Sequence, residues 1–108
     1  MNSLIKDNLP KITEACQNHH VESLYIFGSV NSISFDSESD VDFLVKFMNL
    51  DFGEYTENYF SFVNKLEEIL GRSVDLVTDK SLSNPYFIQE LNKSKMLIYG
   101  NPNQKALT

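Results

Sequence analysis

The chain has 108 residues, with 15 acidic against 9 basic side chains and a net charge of −6. That length suits one domain, and the absence of any Lys/Arg cluster argues against DNA or RNA as a direct partner, since backbone binding needs one. No run approaches the ~18 apolar residues of a membrane helix, and Lys6 and Asp7 interrupt the N-terminus before a stretch of signal length, so a soluble, cytoplasmic protein with no membrane partner is expected.

The first helical region is expected over residues 3–19. Leu9, Ile12 and Cys16 recur at helical spacing, with Asn8 as N-cap ahead of Pro10; Leu4 and Ile5 form either an earlier turn or the front of one kinked helix. Cys16, the one cysteine, has no partner for an internal disulfide and reads as a small buried hydrophobe. His19 and His20 read as a polar helix end, because adjacent helical residues diverge by about 100° and seldom chelate one ion.

Residues 23–28 form a first strand, apolar on both faces and therefore central. A polar stretch from Ser29 to Ser39 follows. The second strand, 41–47, alternates: Val41, Phe43, Val45 and Phe47 on one face, Asp42, Leu44 and Lys46 on the other. Phe52, Tyr55, Tyr59, Phe62, Val63, Leu66, Ile69 and Leu70 form the stripe of a long helix stopped by Gly71. We read that stripe as core, with the Tyr55 and Tyr59 hydroxyls within reach of a base or a partner. A third strand spans 73–78. Asn84-Pro85 opens a helix to about Asn92, with Phe87, Ile88 and Leu91 inward. A short strand from Met96 to Tyr99 ends at Gly100, and the tail 101–108 is expected to fray.

The chemistry is concentrated in Gly28-Ser29 and, ten residues on, Asp40-Val41-Asp42. Residues i and i+2 of a strand share a face, separated by two rises of about 3.3 Å, so Asp40 and Asp42 stand side by side. Like charges at that spacing oppose ionisation and call for a cation. Hard carboxylate oxygens suit Mg²⁺, commonly shared with substrate phosphates. Gly28 and Ser29 supply backbone N–H groups and a hydroxyl for those phosphates. Asp36, Glu38, Asp40 and Asp42 also look like the opening of an EF-hand loop. That reading fails, because Val41 stands where the loop needs Gly and Phe47 where it needs Glu. Asp75 lies in the apolar run Val74-Asp75-Leu76-Val77; either it faces the site beside Asp40 and Asp42, or it ends an edge strand in water. Arg72 and Lys80, flanking that strand, read as solvated charges, with phosphate contact as the alternative.

From about Leu24 to Tyr99 the chain resembles the nucleotidyltransferase superfamily that includes DNA polymerase beta, poly(A) polymerases and antibiotic nucleotidyltransferases. Ile26-Phe27-Gly28-Ser29 and Asp40-Val41-Asp42-Phe43 match the shared signature position by position, and Val74-Asp75-Leu76-Val77 matches the third-carboxylate strand of the stand-alone minimal nucleotidyltransferases. The resemblance implies one α+β domain over residues 1–108: a small mixed sheet of about four strands with helices packed on one face.

It implies equally a Mg²⁺-dependent enzyme, with a two-metal site, that transfers AMP from ATP. Asp40, Asp42 and Asp75 would be its catalytic and metal-binding residues, and Gly28 and Ser29 its nucleotide-binding residues. Minimal nucleotidyltransferases are typically paired with a HEPN-type ribonuclease toxin, which they neutralise as antitoxin by adenylylating a tyrosine. A HEPN-type toxin is therefore the partner implied, through a hydroxyl acceptor. One departure stands out: relatives carry an Arg and then a Gly soon after the Gly-Ser, where this chain has Ser32 and Ile33. The alternatives are a catalytically weak module that neutralises its partner by binding, and a subunit of a small-molecule nucleotidyltransferase. Acceptor identity, base preference and homo- or hetero-oligomeric state are left open by the sequence.

Overall fold

A computed structural model describes residues 3–28 and 40–100 of the chain. The elements are α1 (Ser3–Asp7), α2 (Leu9–Asn18), β1 (Val21–Phe27), β2 (Val41–Phe47), α3 (Phe52–Leu70), β3 (Val74–Thr78), α4 (Pro85–Ser94) and β4 (Met96–Tyr99). Four strands form one sheet in the order β3-β2-β1-β4. β1 runs antiparallel to β2 and β4, and β2 runs parallel to β3. The parallel pair follows from α3, whose 19 residues carry the chain back across the sheet. The fold is α+β with a mixed sheet, as the sequence predicts.

The alternation in β2 sorts side chains onto two faces. Val41, Phe43, Val45 and Phe47 join Leu24, Ile26 and Leu76 against Ile5, Ile12, Cys16, Phe62 and Leu66. Phe62 and Leu66 are fully buried here, each worth ~1.5–3 kcal/mol over an exposed position. The other face carries a smaller cluster of Phe27, Leu44 and Leu91. Leu91 comes from α4, so α1, α2 and α3 cover one face as expected while α4 adds to the opposite one.

Several local expectations are corrected. Asn8 does not cap α2 with its side chain; its amide donates instead to the Leu4 carbonyl at 2.8 Å, which separates α1 from α2. β1 begins at Val21, two residues early, because Val21 and Ser23 still pair with β2 across an irregularity at Glu22. Phe52 lies 90% exposed, since the first turn of α3 projects beyond the residues that could cover it.

Other expectations hold. Gly71 takes the left-handed conformation (φ 65°) and returns its N–H to the Glu67 carbonyl. Asn84 caps α4, its side-chain oxygen accepting from Tyr86 and Phe87 N–H groups. Cys16 is fully buried. No helix among the described residues is long and apolar enough to cross a membrane.

Candidate active site

Three adjacent strands bring the predicted groups to one end of the sheet. β1 ends at Phe27, which pairs with Asp42 in β2, and Asp42 pairs in turn with Asp75 in β3. Residues paired across strands share a face, and neighbouring strands lie ~4.8 Å apart. The Asp42 and Asp75 side chains are therefore nearest neighbours, on the face that carries Phe27 and Leu44. β3 is an edge strand, and its Asp75 is exposed and in register with Asp42. Asp40, exposed, directly precedes β2 on the same line, while Asp42 is half-buried.

Gly28 closes this row. Its φ of +78° is a conformation that side-chain-bearing residues rarely adopt. A Cβ placed there would run into the Asp42 carboxylate, with Asp42 Cγ at 3.3 Å. The missing side chain thus leaves a cradle beside a carboxylate oxygen. The donor set is all carboxylate oxygen, which fits Mg²⁺, although among the described residues no three His, Cys, Asp or Glu side chains are gathered into a ready metal cluster. Ser29, Ser32 and Ile33 lie outside the described residues.

Several other candidates make contacts within the fold. Tyr59 O–H donates to the Leu76 carbonyl at 2.6 Å, so that hydroxyl is engaged within the fold. Burial, then the Asp75 charge, then Tyr55 hold its pKa above the usual phenol value. Tyr55 meets Phe47 edge-on at 5.4 Å and lies beneath Lys80 Nζ, 5.1 Å from the ring centroid. Lys80 belongs to the turn after β3, beyond its C-terminal end, whereas the carboxylates sit at its N-terminal end. The His19 ring nitrogens lie 2.7 Å from the Ala15 carbonyl and 3.0 Å from Ser61 Oγ, as befits a polar helix end.

Sequence reasoning missed the apolar floor next to the carboxylates. Phe27 meets Phe87 of α4 edge-on at 6.1 Å, and Leu91 closes over Leu44. Of the residues expected inward on α4, Leu91 is buried, Ile88 is half-buried and Phe87 stays 40% exposed despite its contact with Phe27; which face the helix covers was not legible.

The described geometry is thus a carboxylate pair in register across parallel strands, with a glycine turn against one of them. The Polymerase beta, Nucleotidyltransferase family profile matches residues 10–104, and the chain belongs to that family. Two proteins of Methanocaldococcus jannaschii, each provisionally named a protein adenylyltransferase, are similar to it. One is 36% and the other 34% identical over 98 residues, 90% of this chain and 95% of the relative. Among solved structures, a minimal nucleotidyltransferase superposes with a TM-score of 0.71 at 24% identity, covering 89% of this chain and 95% of that one. The Shewanella oneidensis complex of a tri-AMPylated HEPN toxin with its MNT antitoxin gives 0.62 at 24% identity, covering 89% and 72%. These likenesses establish the fold.

Proposed function

We propose that this nucleotidyltransferase moves AMP from ATP to a hydroxyl of a partner protein, and that the partner is a HEPN-type toxin which it neutralises as antitoxin. The observation carrying this reading is the register of Asp42 with Asp75, next to a Gly28 that leaves room at the Asp42 carboxylate. The names of the two archaeal relatives support protein as acceptor, and the HEPN complexes of similar fold support the kind of partner.

Phosphoryl-type transfer depends on positioning and on neutralising charge. Mg²⁺, held by Asp40, Asp42 and Asp75, would offset the triphosphate charge there. Gly28 and Ser29 would anchor the β- and γ-phosphates. Asp75, outermost and open to solvent, receives the acceptor and takes its hydroxyl proton. The acceptor oxygen bonds to the α-phosphorus, the bond from that phosphorus to the bridging oxygen breaks, and pyrophosphate departs with the electron pair.

The test is co-expression with a HEPN-type toxin encoded beside this chain. The recovered toxin should carry added mass in multiples of about 329 Da, that of an AMP group, and lose its toxicity. Asp40→Asn with Asp42→Asn should abolish both effects. The second reading, neutralisation by contact alone, draws on Ser32 standing where relatives carry a phosphate-directed Arg; relief of toxicity by the double variant, without added mass, would establish it.

A further inference from the structure

Asp75 stands on an edge strand of five residues that the sheet supports from one side only. Successive residues of a strand turn their N–H and C=O groups to alternate sides. Ser73 turns inward, its carbonyl accepting from Val41 N–H at 3.0 Å, so Val74 and Leu76 turn outward. An open edge of this kind is where pairing slips.

Helix α3 closes that edge. Glu67 Oε2 accepts from Val74 N–H at 2.9 Å, and Tyr59 O–H donates to the Leu76 carbonyl at 2.6 Å. The two backbone groups so held belong to Val74 and Leu76, the residues on either side of Asp75. Tyr59 and Glu67 are two helical turns apart and reach the same strand from one side of α3. With its pKa raised, the Tyr59 hydroxyl keeps its proton and stays a donor.

We propose that Tyr59 and Glu67 are positioning residues, clamping β3 on either side of Asp75 so that its carboxylate stays in line with Asp42. Neither touches the nucleotide; both act through the backbone. The proposal rests on Asp75 being a carboxylate of the AMP-transfer site. A small misplacement of a reacting group is enough to cost one to two orders of magnitude in rate.

The experiment compares Tyr59→Phe, Glu67→Ala and Glu67→Gln with wild type well below their melting temperatures. Tyr59→Phe and Glu67→Ala should each lower kcat roughly tenfold while KM for ATP moves by less than about twofold, because Gly28 and Asp42 still hold the nucleotide. Glu67→Gln keeps an oxygen acceptor for Val74 N–H and should restore kcat. A second readout is Mn²⁺ affinity in the presence of a non-hydrolysable ATP analogue, followed by electron paramagnetic resonance. It should weaken in Tyr59→Phe and Glu67→Ala and recover in Glu67→Gln. If wild type transfers no AMP but ion affinity follows this order, the clamp stands and the AMP-transfer reading falls. Wild-type kcat and ion affinity in Tyr59→Phe and Glu67→Ala, or a Glu67→Gln as impaired as Glu67→Ala, would overturn the clamp.

Discussion

Gly28 bears two separate constraints, and they can be measured apart. Its backbone is left-handed at φ +78°, which costs a side-chain-bearing residue ~1–2 kcal/mol. A Cβ there also presses on the Asp42 carboxylate. Gly28→Ala should therefore destabilise more in wild type than in an Asp42→Ala background, where only the backbone strain is left. Urea titrations of the four proteins should give a coupling of about 1 kcal/mol; additive losses would mean that the close approach does not exist in solution. The Gly28, Asp40 and Asp42 grouping was legible because its parts are close in sequence and the two-residue period of a strand puts both carboxylates on one face. Asp75 was legible from the residues as a charge out of place in an apolar run, and from the family resemblance as a third carboxylate. Its alignment with Asp42 depends on how two distant strands pair, which no local period encodes.

Helix α3 was read from the sequence with both ends correct, since its apolar stripe is long and Gly71 provides a stop that needs no tertiary context. What the period cannot tell is where the covering layer ends, and so Phe52 was assigned to a core that does not reach it. For α4 the inward position of Leu91 was legible, the exposure of Phe87 and the face the helix covers were not: Leu91 packs on Phe27 and Leu44, beneath the carboxylate row. Truncating these two apolar residues should have opposite consequences. Leu91→Ala, removing a side chain that is 2% exposed, should cost ~2–4 kcal/mol in chemical denaturation, whereas Phe52→Ala should stay within ~0.5 kcal/mol. Equal losses would place Phe52 in the core after all.

Across the whole molecule, β1 was recognisable as central from its apolar character and β2 as a strand from its alternation, but the order β3-β2-β1-β4 rests on long-range pairing that composition leaves undetermined. The core this arrangement closes has a consequence for stability against pH. Cys16 is packed with Ile12, Ala15 and Phe62 in the larger cluster, and burial raises its thiol pKa from 9.0 to about 12. The unfolded chain releases this proton near pH 9 and the folded chain keeps it to about pH 12, so between those values the unfolded state binds fewer protons and stability falls as pH rises. Below pH 9 both states hold the proton and the contribution is constant. The loss per pH unit is at most ~1.4 kcal/mol. Tyr59, also raised, acts in the same direction, while Lys95, lowered by burial, opposes it as the folded state sheds a poorly solvated charge. Cys16→Ala isolates the thiol from both. Urea titrations from pH 7 to pH 11 should show the wild-type advantage over Cys16→Ala constant up to about pH 9 and shrinking above it. An advantage that persists undiminished at the alkaline end would mean that the thiol ionises as readily in the folded protein as in the unfolded chain, and that the core around α2 admits water.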